Sequence, residues 1–208
     1  MRNIQTVFLA LFIALLPNAI SAQVSDDFSD GDFTASPAWG GETSKFEVDA
    51  NQKLHLNAPA ESDTAYLSTP SQAIDDAVWE FLVELDFNPS SSNVARVYLA
   101  SNNDNLRANL NGYYVRIGSE TQDRISLYRQ DGLSSDQLLT SADGLVSTDP
   151  VNARIRVTRN AAADWELMAD TAGGTAFTSI GTINDATYFQ SLYVGVHCKY
   201  TSTRSDKF

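Results

Sequence analysis

The stretch Trp79-Glu80-Phe81-Leu82-Val83-Glu84-Leu85-Asp86-Phe87 places apolar side chains at every odd position and mostly acidic side chains at the even ones. Alternate side chains of a β-strand point to opposite faces, so this stretch predicts a strand with a buried face and a solvated face. The same alternation recurs in residues 94–100, 112–118, 124–129, 153–159 and 192–200.

Turn-forming segments separate these stretches. Pro89 lies in the run Asn-Pro-Ser-Ser-Ser-Asn of residues 88–93, and proline cannot continue a strand ladder. Residues 45–49 and 53–57 flank a short polar turn and predict a hairpin. Roughly ten short strands without helical periodicity predict an all-β fold, an antiparallel β-sandwich or jelly roll.

The first 22 residues have the pattern of a secretory signal peptide. Arg2 precedes the apolar residues 7–16, and residues 17–22 end in Ile20-Ser21-Ala22. The apolar run is too short to span a bilayer, although an N-terminal membrane anchor remains the alternative. We therefore predict a signal peptide at residues 1–22, one domain at 23–208, and a secreted or cell-surface location.

The charge balance limits the classes of partner. The chain has 14 Lys and Arg against 26 Asp and Glu, a formal net charge of −12. Such an excess of acid argues against nucleic acid and against anionic membranes as partners. Cys198 is the single cysteine, so no internal disulfide can form, and its position beside Val194 and Val196 predicts a buried thiol.

The solvated strand face is rich in arginine and tyrosine, and it is the best candidate for a binding site. Aromatic rings can stack on sugars, and arginine can bind a carboxylate or sulfate through two hydrogen bonds. The face predicts binding of a polysaccharide, including an anionic one. Cross-strand pairing that only stabilises a solvated sheet is the alternative. The candidate residues are Arg96, Tyr98, Tyr114, Arg116, Tyr128, Arg154, Arg156, Tyr193 and His197.

The densest acidic cluster lies near the start of the predicted domain. Asp26, Asp27, Asp30 and Asp32 surround Gly31 and could supply oxygen ligands to a structural Ca²⁺ ion. Their spacing is not that of an EF-hand loop. Aspartates that cap turns in a solvated segment are the alternative. No other cofactor is predicted.

Two enzyme classes have partial matches. Residues 84–89 resemble the Glu-x-Asp-x-x-Glu strand of laminarinase-type glucanases, but Pro89 replaces the last glutamate, which would be the general acid. Jelly-roll alginate lyases use Arg, Tyr and His, but Val196-His197-Cys198 does not match their Gln-x-His strand. We therefore predict a protein that is not catalytic, with a degenerate or unusual polysaccharide-active enzyme as a remaining hypothesis.

The chain resembles the concanavalin A-like jelly-roll modules of secreted bacterial proteins, above all the N-terminal module of proteins that also carry lamin-tail domains. The matching segments are residues 26–33, the surroundings of Trp39, and residues 79–81, 112–118, 125–132 and 194–206. The resemblance implies that the final strand follows the turn Ser205-Asp206-Lys207-Phe208, so that this strand is missing and further domains follow. It leaves two main hypotheses, a glycan-binding or adhesion module and a structural spacer.

Overall fold

The computed structural model of the chain describes residues 24–118 and 122–208. The predicted signal peptide at residues 1–22 lies outside the described residues. In chain order, the strands are β1 (Gly40–Gly41), β2 (Phe46–Val48), β3 (Leu54–Leu56), β4 (Asp63–Pro70), β5 (Ala77–Leu85), β6 (Val94–Ser101), β7 (Leu110–Ile117), β8 (Ile125–Gly132), β9 (Ser134–Thr140), β10 (Val151–Arg159), β11 (Asp164–Asp170), β12 (Thr178–Asn184) and β13 (Tyr193–Tyr200).

The strands form three sheets, and all pairs are antiparallel. A seven-stranded sheet has the order β1-β4-β13-β6-β7-β8-β9, a four-stranded sheet the order β12-β11-β10-β5, and β2 pairs with β3 in a hairpin. The predicted antiparallel β-sandwich and the predicted hairpin are confirmed. Within the described ranges, no helix is long and apolar enough to cross a membrane.

The main core lies between the seven-stranded and the four-stranded sheets. Val115 and Leu127 from the former meet Ile155 and Leu167 from the latter, and all four are fully buried. Trp165 lies at the centre of this core, with its ring stacked 5.5 Å from that of Trp79. The odd positions of β5 face this core, as their alternation predicts.

The hairpin covers a second part of the seven-stranded sheet. Phe46 and Leu56 from the hairpin pack against Leu67 of β4 and against Cys198 and Tyr200 of β13. Cys198 is buried as predicted, and burial raises the pKa of its thiol to about 12. The inner face of the seven-stranded sheet is therefore covered by two separate elements, the four-stranded sheet and the hairpin.

The loop between β6 and β7 folds back over the outer face of the seven-stranded sheet. Its Leu106 packs on Tyr98 and Tyr114 and is 2% exposed. The loop can approach so closely because position 195 in β13 is glycine, where a Cβ atom would lie 2.7 Å from Cδ1 of Leu106. The outer face is thus partly covered by the chain itself.

A buried ionic network fixes the segment between β12 and β13. Asp185 is 9% exposed and accepts hydrogen bonds from Tyr113 Oη at 2.7 Å and from Arg129 Nη1 at 2.6 Å. Burial by itself would raise the pKa of Asp185, but the hydrogen bonds from Tyr113, the Thr187 amide and Arg129 together lower it. The carboxylate is therefore charged, and it holds the loop against β7 and β8.

We expect Asp185→Ala to lower the free energy of unfolding by about 3 kcal/mol, because it leaves a buried tyrosine hydroxyl and an arginine without their shared acceptor. Urea denaturation measures this change. Asp143→Ala is the matched control, since Asp143 pairs with Arg124 while its side chain is 64% exposed. The control should cost less than about 1 kcal/mol. Equal losses in the two variants would contradict a structural role for the buried network.

Candidate functional site

The nine predicted binding residues lie on two different surfaces. Seven of them, Arg96, Tyr98, Tyr114, Arg116, Tyr128, Tyr193 and His197, belong to the seven-stranded sheet, whereas Arg154 and Arg156 belong to β10 of the four-stranded sheet. The two sheets meet through their inner faces, so their outer faces point in opposite directions. The interpretation of a single face is therefore wrong for the two β10 arginines.

Arg154 and Arg156 are paired with an acidic residue across the four-stranded sheet. Arg156 donates to Glu80 Oε2 from Nε at 3.0 Å and from Nη2 at 2.7 Å, and Arg154 Nη1 lies 3.5 Å from Glu80 Oε1. The Arg156 guanidinium also stacks over the Phe177 ring at 4.1 Å. Cross-strand pairing accounts for both residues.

Three tyrosines form a ladder across the outer face of the seven-stranded sheet. Tyr98, Tyr114 and Tyr128 are direct cross-strand neighbours in β6, β7 and β8, with ring centroids 5.2 and 5.1 Å apart. Tyr98 is 1% exposed and Tyr114 is 2% exposed. Tyr98 also donates its hydroxyl proton to Gln130 Oε1 at 2.8 Å. The rings of Tyr98 and Tyr114 are therefore buried beneath other side chains and are not exposed for stacking on a ligand.

A row of basic side chains lies beside this ladder. His197, Arg96 and Arg116 are direct cross-strand neighbours in β13, β6 and β7, and we refer to them as the basic row. Arg96 stacks over the Tyr114 ring at 5.1 Å, and Arg116 stacks over the Tyr128 ring at 5.3 Å. Unlike the β10 arginines, neither forms an ion pair with an acidic residue in the part of the chain that the structure describes.

Two directly opposed arginines repel each other, and like charges opposite one another destabilise a sheet. Both arginine residues are half-buried, and each guanidinium lies over a tyrosine ring. Arg116 Nε donates to the Gly118 carbonyl oxygen at 3.0 Å. The remaining donors, which have no acidic partner among the described residues, are suited to binding a carboxylate or sulfate group from solution.

His197 contributes a neutral group to the basic row. It is 7% exposed, and neither its Nδ1 nor the buried Nε of Arg96 has a hydrogen-bond partner among the described residues. Burial, and then the charge of Arg96, lowers the pKa of His197 to about 3. The imidazole therefore carries no charge near neutral pH, and the positive charge of the row comes from the arginines.

An open cleft of about 260 Å³ lies at the edge of the same outer face. Trp39, Tyr66 and Tyr193 supply three half-buried aromatic rings, Asp104 an exposed carboxylate, and Gly40–Gly41 the backbone of β1. The Trp39 indole donates to Asp26 Oδ2 at 2.8 Å, which fixes its orientation. The cleft combines flat apolar surfaces with a strong hydrogen-bond acceptor.

Tyr66 and Asp104 are not among the residues predicted from the sequence. Tyr66 occupies an outward position of β4 and lies directly opposite His197, so the cleft and the basic row occupy neighbouring strands. Asp104 lies in the loop that folds over the sheet, and its carbonyl oxygen accepts a hydrogen bond from Ser68 Oγ at 2.8 Å. The density of Asn and Asp in residues 102–105 is the one sequence signal for this loop.

The predicted Ca²⁺ ligands do not converge on a common point. Asp26, Asp27, Asp30 and Asp32 each accept a backbone hydrogen bond from the residue two positions later, at 2.7–3.0 Å. These aspartates cap turns, which is the alternative to a Ca²⁺ site that the sequence analysis gives. Among residues 24–118 and 122–208, no three His, Cys, Asp or Glu side chains are placed to hold a metal ion. The described residues therefore do not fit a Ca²⁺ site.

The acidic residues of the glucanase-like strand are in contact with lysines. Glu84 forms an ion pair with Lys53, and Asp86 Oδ2 lies 3.9 Å from Lys207 Nζ. Pro89 follows in the loop between β5 and β6. The arrangement is that of a surface ion-pair cluster.

The depressed pKa of His197 predicts a loss of stability in acid. The unfolded chain takes up a proton as the pH falls through the ordinary histidine pKa, whereas the folded protein does not until about pH 3. The His197→Gln variant should therefore lose about 3 kcal/mol less stability than the wild type between about pH 7 and about pH 4.

Urea denaturation across that range measures the difference. His55→Gln is the control, because His55 lies in the hairpin with its side chain 29% exposed. If the wild type and His197→Gln lose stability in parallel as the pH falls, the buried neutral state of His197 is refuted.

Comparisons with known proteins identify the fold. No protein-family model matches the chain. No curated protein sequence matches it either. The three-dimensional structure, in contrast, is similar to many solved structures.

A legume lectin-like domain from Entamoeba histolytica superposes with a TM-score of 0.60 at 13% identity, covering 88% of this chain and 93% of that one. The exoplasmic/lumenal domain of VIP36, in its Ca²⁺- and Man-bound form, gives 0.53 at 14% identity, with coverage of 79% and 76%. The carbohydrate-binding module CBM66 from Bacillus subtilis gives 0.54 at 8% identity, with coverage of 78% and 92%.

Identities this low establish the fold and leave the ligand open. The predicted concanavalin A-like jelly roll is confirmed, and the chain has the β-sandwich fold of the legume lectin-like domains.

Proposed function

We propose that the protein is a non-catalytic glycan-binding module that holds a polysaccharide on the outer face of its seven-stranded sheet. The observation that supports the proposal is that the aromatic cleft and two arginines without acidic partners among the described residues, Arg96 and Arg116, lie on the same outer face. Tyr66 at the cleft, His197, Arg96 and Arg116 follow one another on adjacent strands. At the usual strand spacing, Tyr66 and Arg116 lie about 14 Å apart, the length of several linked sugar units, with the buried His197 between them.

The cleft has the chemistry that a sugar ring requires. Tyr66 and Tyr193 offer ring faces on which the C–H surface of a pyranose can stack, and the Asp104 carboxylate can accept hydrogen bonds from hydroxyl groups. Two solved structures with this fold support the proposal, since one is described as a carbohydrate-binding module and another carries bound Man.

The basic row favours an acidic glycan. Arg96 and Arg116 lack acidic partners in the described part of the chain, while the protein as a whole has a net charge of −12. A polyanion is repelled by most of this surface, so the row determines where a uronate or sulfate group can bind. Attraction between exposed charges is screened by salt, so binding should weaken as the ionic strength rises.

The cellular setting belongs to the same proposal. We infer that residues 1–22 direct secretion, that the module acts outside the cell, and that it forms part of a multidomain protein of the kind that carries lamin-tail domains. The structure offers no Ca²⁺ site among its described residues, so the proposal assigns no role to the Asp26–Asp32 segment.

The acidic-glycan part of the proposal is tested by a double substitution, Arg96→Gln with Arg116→Gln. We expect the affinity for polyuronate and sulfated oligosaccharides to fall at least tenfold, because charge-assisted hydrogen bonds contribute about 1.5–3 kcal/mol each. A glycan array followed by calorimetry, run with Ca²⁺ and with a chelator, measures the loss.

Arg156→Gln is the matched control, because Arg156 lies on the opposite sheet and is already paired with Glu80. Binding that is lost equally in the control and in the double variant would refute the assignment to the basic row. Silence across the array from a folded protein would favour the structural-spacer hypothesis.

The cleft is tested separately. Tyr66→Ala should weaken binding of neutral and acidic glycans alike by about fivefold, because an aromatic stacking contact contributes about 1 kcal/mol. Phe177→Ala, which removes a ring just before β12 that packs against Arg156 of the opposite sheet, should leave the affinity unchanged. An unchanged affinity for Tyr66→Ala, measured by calorimetry, would remove the cleft from the binding site.

A further inference from the structure

The cleft on the outer face has two walls that come from separate parts of the chain. One wall is β1 together with Trp39, and the other is Asp104 in the loop between β6 and β7. Tyr66 and Ser68 of β4 lie between the walls and form the floor. The β1 wall is thin, because β1 is an edge strand of only two residues. The width of the cleft therefore depends on how firmly the two walls are joined.

Four charged side chains just outside the cleft join its walls. Glu42 directly follows β1, and Lys45 ends the short 3₁₀ turn that comes next. Asp63 is the first residue of β4, and Arg107 lies three residues after Asp104 in the loop. We refer to these four charged residues as the clamp.

Arg107 is the member of the clamp that reaches from the loop to the other wall. Its Nη1 donates to Glu42 Oε1 at 3.0 Å, and its Nη2 lies 3.6 Å from Asp63 Oδ1. Lys45 Nζ donates to the same Glu42 oxygen at 3.0 Å and to Asp63 Oδ2 at 2.6 Å. The Glu42 amide donates to the Tyr66 carbonyl oxygen at 3.0 Å. The clamp is therefore a closed ring of alternating charges that is bonded to the floor of the cleft.

The charges of the clamp depend on one another. Burial by itself lowers the pKa of Lys45, but its hydrogen bonds to Asp63 and Glu42 raise it above its usual range. The hydrogen bond from Lys45 in turn lowers the pKa of Asp63. Glu42 Oε2 is buried and has no hydrogen-bond partner among the described residues, so this carboxylate depends on the two cations at Oε1. Removing one partner of such a group is costly.

Two other contacts hold the loop, but they connect it to the floor and to the neighbouring strands. Ser68 Oγ donates to the Asp104 carbonyl oxygen at 2.8 Å, and Leu106 packs on two tyrosines of the ladder. Among residues 24–118 and 122–208, the ion pair of Arg107 with Glu42 is the one that links the loop to the β1 side of the cleft. The clamp therefore does what the other contacts cannot do.

We propose that Arg107 is a positioning residue that sets the width of the glycan-binding cleft by holding the loop with Asp104 opposite β1. Arg107 itself lies outside the lining of the cleft. Its role in binding rests on the proposed function, whereas its role in the geometry of the cleft does not. A preformed cleft binds more tightly, because the ligand does not have to fix the walls as it enters.

The test compares Arg107→Ala, Arg107→Lys and Arg156→Ala with the wild type. Arg156→Ala is the matched control, because Arg156 also pairs with a glutamate and its side chain is 37% exposed against 43% for Arg107, but it lies on the opposite sheet. Amide hydrogen exchange is measured without ligand at Glu42, which bonds to the floor, and at Ala108, which bonds to a carbonyl inside the loop. Calorimetry with mannotriose, a neutral probe, measures binding, and the melting temperature reports global stability.

We expect Arg107→Ala to speed exchange at both amides by about fivefold and to weaken mannotriose binding by at least about twofold. Its melting temperature should stay within about 2 °C of that of the control. Arg107→Lys should restore most of the slow exchange, because lysine keeps the charge, whereas a role through packing alone would not be rescued.

Unchanged exchange in Arg107→Ala, or equal acceleration in the control, would overturn the proposal. So would faster exchange with an unchanged affinity for mannotriose, because the clamp would then stabilise the loop without shaping the site. Mannotriose that binds none of the four proteins would contradict the neutral-sugar part of the proposed function, and the exchange rates would still decide whether Arg107 holds the walls.

Discussion

The inner face of the seven-stranded sheet is apolar along most of its strands, and its burial is the constraint on which the rest of the structure depends. No single described element covers it. The four-stranded sheet covers the part that carries Val115 and Leu127, and the hairpin covers the part that carries Leu67 and Cys198. Because alternate side chains point to opposite faces, this burial also determines which residues must lie on the outer face. The candidate site is therefore a consequence of the way the core is built.

The outer face shows how a sheet can hold charged groups without neutralising them. Tyr98 and Tyr114 are buried against Leu106, and Arg96 lies over the Tyr114 ring instead of beside a described carboxylate. A guanidinium on a tyrosine ring is held in place and keeps its charge available to a ligand. Arg96 and Arg116 lie directly opposite each other, and their repulsion lowers the stability of the sheet.

The sequence predicts the features that depend on local alternation. It identifies the inward positions of β5, the hairpin at β2 and β3, and the burial of Cys198, because each follows from the parity of neighbouring side chains. It cannot assign Arg154 and Arg96 to different sheets, since parity says nothing about which strands become neighbours. Strands β9 and β12 also go unpredicted, because residues such as Ser135 and Gly181 give no apolar alternation.

The two sheets together provide an internal comparison that favours a binding role for the basic row. On the four-stranded sheet, Arg154 and Arg156 share Glu80, so the arrangement expected of a purely structural sheet is present in this same chain. In the described part of the seven-stranded sheet, no such acid accompanies Arg96 and Arg116, although the protein has almost twice as many acidic as basic residues. A chain so rich in carboxylates could neutralise both arginines at little cost. The absence of an acidic partner for either arginine among the described residues, on the face that carries the aromatic cleft, is the observation that supports the proposal of an external ligand.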